Sequence, residues 1–500
     1  MNNQNSIKIT IFNTLLIIFI SAVGTTLILY TQNTLYNNGN WDSGKIKLGK
    51  GVTGTVAFIV TPNALDKNSL NLGAWHGYHE LIYKATVNPS FIAFDTLFEK
   101  PSEFSFIFNK NESGFSGIRI NTQEKEGIID FFISSSEGEF LNRKRLENNS
   151  IELNKWNNFK VQFKNDALLL DINNKRIGSY NLDILDNQLV GFRGGSNKVL
   201  IDNIVIADKN FSKEITESFD NKKGFWFIFG YLFLILLILN FFLSKLSKKR
   251  NSLYFCLMIN LCLLTIVFII YLYYYNFASE NYITDENKID WKGYTSNIEP
   301  QETVVTKIDN DYGNKKDNIS RILFIGTSQT WGAGASSENK TFVRLFENLL
   351  NKNSQITNYE VINGGISGLN SKALLELYKS SWIKLSPDIV IIDLATNDFE
   401  SNEFFNNLKN FISLNDLNYI KTSFILEPNN QNSARLLKNH QVMQKLAREN
   451  DIKVIDMHSY LLKNYDKGFL WWDEVHLTDF GQELFADKLY DEINPFIPTP

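Results

Sequence analysis

Cysteine is nearly absent: the 500 residues hold two, Cys256 and Cys262, both inside one apolar stretch. A disulfide framework is therefore excluded, and no thiolate stands in the polar regions to bind a metal or act as a nucleophile. Histidine is also sparse, with five in all. Only His76 and His79 lie close together, and no third His or Cys beside them completes a metal site, so neither a metal nor an organic cofactor is expected. Neither sign of charge is in excess. Lys+Arg 50 against Asp+Glu 54 leaves a formal net charge of −4, which gives no electrostatic footprint for a nucleic-acid partner. A chain of this length exceeds one ordinary core, so two or more domains are expected.

Much of the apolar content is gathered into three runs, at 9–30, 224–243 and 253–277. About 20 apolar residues suffice to cross a bilayer as a helix, and the expectation is a multidomain membrane protein with three transmembrane helices. The first run is an anchor or a cleaved signal peptide; its length for an h-region favours the anchor. Lys245, Lys248, Lys249 and Arg250 fill the connection between the second and third runs and place it in the cytoplasm by the positive-inside rule. Regions 31–223 and 278–500 then face each other as extracytoplasmic domains of a multi-pass protein, with the lipid bilayer as a partner.

Residues 50–207 carry many short runs of alternating polarity, such as Val56–Val60, Glu103–Phe108, Ile128–Ile133 and Phe159–Phe163. Period-two alternation reads as half-buried strands, and Asn173-Asn174 between two of them as a tight hairpin turn. An antiparallel all-β sandwich is expected. Trp156-Asn157-Asn158-Phe159, Val190-Gly191-Phe192-Arg193-Gly194-Gly195 and Leu200-Ile201-Asp202-Asn203-Ile204-Val205-Ile206 resemble a concanavalin A-like (laminin-G-like) jelly roll. That resemblance implies either a glycan-binding or a docking role.

Residues 278–317 are polar without apolar period and read as a linker. From 318 to 500 strand and helix patterns alternate. Ile322–Ile325, Glu360–Ile362, Ile389–Leu394, Thr422–Leu426 and Lys453–Ile455 read as strands. Segments near Thr341–Leu350, Lys372–Leu385 and Ala434–Asn450 read as helices, and a last one is N-capped by Thr478. This predicts a three-layer α/β domain with a parallel sheet of about five strands, its site outside the carboxyl ends of those strands. There stand Gly326-Thr327-Ser328-Gln329-Thr330, Asn363-Gly364-Gly365, Ala395-Thr396-Asn397-Asp398 and Asp473-Glu474-Val475-His476.

A serine hydroxyl needs a base within hydrogen-bond reach and a third group to orient that base. Ser328, His476 and Asp473 are the candidates. The backbone N–H groups of Ser328 and Gly365 and the Asn397 side chain are candidate donors to an oxyanion. His458 and His440 are rival bases, and His440 is expected on the surface of a helix. These four segments, in order, resemble the blocks of the SGNH (GDSL-type) serine hydrolase family. The resemblance implies a flavodoxin-like α/β/α fold, Ser328 as nucleophile, Asp473 and His476 completing a triad, and Gly365 and Asn397 in the oxyanion hole. Thr327 departs from the family's usual Asp, and Ala395 from its usual Gly.

The combined expectation is a membrane-anchored extracytoplasmic esterase removing acetyl or other small acyl groups from a glycan, alongside polysaccharide-assembly proteins. An O-acyltransferase on a surface polysaccharide, a lipase-like or lysophospholipase-like esterase, and a non-catalytic glycan-binding or assembly protein are the alternatives.

Overall fold

The computed structural model describes residues 14–25, 41–42, 59–61, 69–72, 79–111, 113–122, 127–147, 151–164, 167–182, 185–194, 199–209, 214–218, 230–238, 259–260, 262–263, 265, 301–316, 318–354 and 358–493.

The three apolar runs need correction. No helix among the described residues is long and apolar enough to cross a membrane. Within the first run the described residues 14–25 are helical. Leu16, Ile17 and Ile20 among them are already buried by protein. In the second run the described residues 230–238 are helical, as are 259–260, 262–263 and 265 in the third, and the remainder of all three lies outside the described residues. The expected three spans, the multi-pass placement and the extracytoplasmic facing derived from them are therefore not supported.

Two antiparallel sheets form the N-terminal sandwich. One runs Trp41–Asp42, His79–Tyr83, Leu189–Gly194, Glu103–Asn111, Gly114–Asn121, Ile128–Ser135, Phe140–Glu147. The other runs Lys175–Asn181, Ala167–Ile172, Trp156–Lys164, Pro89–Phe98, Val199–Asp208, Ser69–Asn71, Ile59–Thr61, with Ile215–Glu217 also pairing to Val199–Asp208. Alternation dictates the faces. In Trp156–Lys164, Phe159, Val161 and Phe163 point inward, and in Ala167–Ile172, Leu168, Leu170 and Ile172 do so. Phe94 ties the two sheets, stacked on Phe159 at 5.2 Å and edge-on to Phe192 at 4.9 Å. Asn173 and Asn174 both have positive φ, 50° and 64°, as the two central residues of a type I′ hairpin must. Of the aromatic cluster at 75–79, Trp75, His76 and Tyr78 lie outside the described residues.

The C-terminal domain holds a five-stranded sheet, parallel throughout: β1 (Ile319–Gly326), β2 (Asn358–Gly365), β3 (Ile389–Leu394), β4 (Lys421–Leu426) and β5 (Lys453–Ile455), in the order β2-β1-β3-β4-β5. This is the doubly wound 2-1-3-4-5 order. Alternate residues feed opposite cores. Leu323, Ile325, Ile362, Val390, Ile392 and Phe424 face one layer, with α1 (Gln301–Asp311), α4 (Ser371–Ser380), α5 (Ser401–Leu417) and α6 (Ala434–Asn450). Ile322, Phe324, Val361, Ile391, Ile425 and Ile455 face the other, with α3 (Phe342–Asn353), α7 (Met457–Lys463) and α8 (Asp479–Ile493). The short α2 (Ser328–Trp331) follows β1. Helix α1 corrects the expected linker: Val304 and Ile308, one turn apart, are buried in the first layer, with Val305 packed beside them.

Candidate active site

The segments of Ser328, Gly365 and Asn397 lie at the carboxyl ends of β1, β2 and β3, and Asp473–His476 lies in the loop before α8. The register sets Gly326 of β1 beside Gly365 of β2 and Asp393 of β3. Ser328 then opens α2, whose first-turn N–H groups have no intrahelical acceptor. Close approach explains the glycine of β2. A Cβ on Gly365 would lie 2.1 Å from the Trp331 amide nitrogen, so a side chain there would push α2 away.

His476 Nε2 lies 2.8 Å from Ser328 Oγ, and His476 Nδ1 lies 2.7 Å from Asp473 Oδ2. The Asp-x-x-His spacing works because Asp473 uses both oxygens: Oδ1 accepts from the N–H groups of Val475 (2.7 Å) and His476 (2.6 Å), closing the turn, while Oδ2 faces the ring. The hairpin is closed by Trp472 N–H donating to His476 O at 2.8 Å and by a bridge between Trp471 and Leu477. Burial disfavours charge on the imidazole, but the Asp473 carboxylate, by charge and hydrogen bond, and Glu427 outweigh it and hold the His476 pKa above 6.5.

The expected oxyanion donors are present but partly engaged. Gly365 N–H donates to Asn363 Oδ1 at 2.9 Å, and Asn397 Nδ2 donates to Leu369 O at 2.9 Å, which leaves Nδ2 a second hydrogen. The Asn397 loop is braced from two sides. Asp398 accepts from the N–H and hydroxyl of Ser371 at the start of α4, and Asn439 of α6 donates to the carbonyls of Ala395 and Asp398, each at 2.9 Å. Trp471 and Trp472 are buried and Trp331 is half-buried.

The rival histidines lie elsewhere. His440 is buried rather than on the surface, with Nε2 3.2 Å from the Glu427 carbonyl. His458 lies edge-on to it at 5.2 Å and meets Asn432 and the Asn429 N–H. Burial lowers both pKa values, that of His440 to about 4.

Sequence reasoning missed two buried acids beneath the Ser328 turn. Asp393 Oδ2 accepts from the Thr330 hydroxyl at 2.8 Å, and Glu427 Oε1 from the Thr327 hydroxyl at 2.8 Å. Burial, then the neighbouring Glu427, raises the Asp393 pKa well above 3.8. A folded-state pKa above the unfolded one means that the native state holds a proton the unfolded chain releases, so this group costs stability progressively as pH rises above 3.8. Asp393→Asn is accordingly expected to gain stability relative to the parent as pH goes from 4 to 8. Urea unfolding across that range checks this, and a pH-independent difference would contradict it.

The sandwich grips the chain just before the Asp473–His476 hairpin. Phe469 is buried among Phe115, Phe132 and Phe140, with Arg193 4.4 Å over its ring, and its N–H donates to Gly138 O at 2.9 Å. Tyr465 donates to Glu103 at 2.6 Å, the same carboxylate that pairs with buried Arg119 at 2.7 Å. Arg143 pairs with Asp466 at 2.8 Å and Lys340 with Glu137 at 2.6 Å.

Residues 324–484 match the GDSL-like Lipase/Acylhydrolase family. No curated protein matches the chain. Among solved structures, an acetyl xylan esterase is 21% identical, with 34% of this chain and 98% of that one covered and a TM-score of 0.31. A lipase/acylhydrolase from Enterococcus faecalis is 20% identical (36% and 98% covered, TM-score 0.32). A catalytic mutant of an acetylxylan esterase from Geobacillus stearothermophilus is 18% identical (35% and 94% covered, TM-score 0.32).

Proposed function

We propose, on the premise that residues 324–484 are a GDSL-like lipase/acylhydrolase domain of an ester-hydrolysing enzyme, that the protein removes acetyl or other small acyl groups from a glycan through an acyl-enzyme on Ser328. The observation that carries the reading is the unbroken hydrogen-bonded line from Ser328 Oγ through His476 to Asp473.

In this reading His476 Nε2 takes the Ser328 proton as Oγ attacks the ester carbonyl. The oxyanion is met by the N–H groups of Ser328 and Gly365 and by the Asn397 amide, each donor contributing about 2.7–4 kcal/mol. Collapse breaks the ester C–O bond, and the leaving sugar oxygen receives the proton from His476. Water, deprotonated by the same nitrogen, then attacks the acyl-Ser328 carbonyl. The acid is released and the serine restored.

The carbohydrate part is supported by the sandwich. A cleft of about 540 Å³ there is lined by residues such as Asn142, Asn181, Ser116, Tyr180 and Leu141, with no Asp, Glu, Lys, Arg or His among the described residues that line it. Amides and hydroxyls beside apolar surfaces suit a neutral polyhydroxylated ligand.

Full-length protein is expected to release p-nitrophenol from the acetate ester with an initial burst, to favour short acyl chains, and to liberate acetate from acetylated oligosaccharides. Inertness toward every short-chain ester would end the esterase reading, and acyl appearing on an added sugar acceptor would replace hydrolysis with transfer. The base must be neutral to act. With its pKa held above 6.5, kcat/KM is expected to rise with pH along a limb whose midpoint exceeds 6.5. A midpoint below that value would mean that Asp473 does not govern the imidazole.

A further inference from the structure

Glu427 is the first residue after β4 and has no exposed surface. Its two oxygens reach different parts of the site. Oε1 accepts from the hydroxyl of Thr327, which precedes Ser328, at 2.8 Å, and Oε2 accepts from the N–H of Thr396, which precedes Asn397, at 2.5 Å. Its own carbonyl meets His440. Asp393, from the neighbouring strand, takes Thr330, but its Oδ1 is buried with no hydrogen-bond partner.

Two carboxyl groups in one dry region do not both ionise. The one with a donor on each oxygen keeps the charge, and the one with a bare oxygen keeps the proton. That makes Glu427 the carboxylate and Asp393 the neutral acid. The hydroxyls flanking Ser328 are thus held by two acids from adjacent strands. This accounts for the threonine at 327, where the resembling family usually has Asp: a hydroxyl complements the carboxylate arriving from β4, whereas an aspartate would oppose it.

We propose that Glu427 is a positioning residue of the reaction, a buried carboxylate that ties the nucleophile turn to the Asn397 loop and favours the imidazolium that His476 forms during turnover. The proposal rests on the esterase reading above. Titratable groups face Glu427 from each neighbouring element: Asp393 and Asp398 from β3 and its loop, His440 from α6 with His458 of α7 behind it, and His476 from the loop before α8.

The test uses the full chain with Glu427→Gln, Thr327→Asp and the double variant. Glutamine keeps both contacts, with its amide oxygen on Thr396 and its NH2 on Thr327, but removes the charge. It is expected to lower kcat per burst-titrated site about tenfold with KM within about twofold, since small displacements of reacting groups have effects up to about 10²-fold. The His476 pKa, followed by NMR and assigned by its loss in His476→Asn, is expected to fall by about half a unit or more. Thr327→Asp alone sets two carboxylates together and is expected to lose more. The double variant, in which the introduced amide donates to the introduced carboxylate, recovers most of that loss.

Wild-type kcat per site and an unmoved His476 pKa in Glu427→Gln, or a double variant no better than Thr327→Asp, would overturn the proposal. The imidazole titration needs no turnover. An inactive parent would therefore sink the esterase reading while leaving the role of Glu427 to be decided by that shift.

Discussion

Ser328→Ala lowers turnover of p-nitrophenyl acetate by about 10⁴-fold or more, and His476→Ala does the same, because each removes a member of a unit that acts together. The expectation rests on the 2.8 Å separation of Oγ and Nε2 and on the half-buried position of Ser328, which keeps the hydroxyl reachable. Combining the two substitutions adds little, since a base without its nucleophile has nothing to deprotonate. Asp473→Asn is expected to cost about 10³–10⁴-fold, and here it also disturbs the turn that Oδ1 closes. Steady-state rates normalised to folded protein check the set. More than a tenth of parental activity surviving in Ser328→Ala would remove the serine from the reaction.

Phe469→Ala is the second large effect, and it acts from the domain interface. The ring is buried against three phenylalanines of the sandwich and lies under Arg193. Deleting such a side chain costs about 3–5 kcal/mol. The same residue stands four positions before Asp473, and its carbonyl accepts from Thr478, so it anchors both sides of the Asp473–His476 hairpin. Activity is therefore expected to fall about tenfold or more even well below the unfolding midpoint, since misplacement of a catalytic group by about 1 Å suffices for up to 10²-fold. Phe163→Ala is the control. Phe163 lies in the sandwich core against Phe108 and away from the hairpin. It should lower stability while leaving kcat intact at low temperature. Equal kcat losses in both variants would mean that general destabilisation, not the clamp, explains the result.

Local patterns carried the parallel sheet and the Ser328, His476 and Asp473 cluster into view. An apolar strand ending at Gly326 and an Asp-x-x-His turn both express their geometry within a few residues. The partnership of Thr327 with Glu427 spans 100 positions, and a lone Glu before Pro428 reads as an ordinary loop. The available signal was an acid placed directly after Phe424-Ile425-Leu426, a run with no polar side to receive it. The docking of Phe469 was equally hidden, because an apolar Phe-Leu-Trp-Trp run does not say which surface it meets. The apolar runs at 9–30, 224–243 and 253–277 misled for a different reason. Hydropathy counts side chains alone, whereas no helix among the described residues is both long and apolar enough to cross a bilayer.

With Gly365 as an oxyanion donor, as proposed, its hydrogen bond to Asn363 Oδ1 carries a kinetic consequence. A neutral ester carbonyl competes with an amide oxygen already in place and gains little by displacing it. An anionic tetrahedral oxygen forms a charge-assisted bond, roughly twice as strong as a neutral one. Under that proposal the internal acceptor keeps the donor satisfied in the free enzyme and yields to the anionic oxygen, so the bond is made chiefly in the transition state, where it acts on kcat.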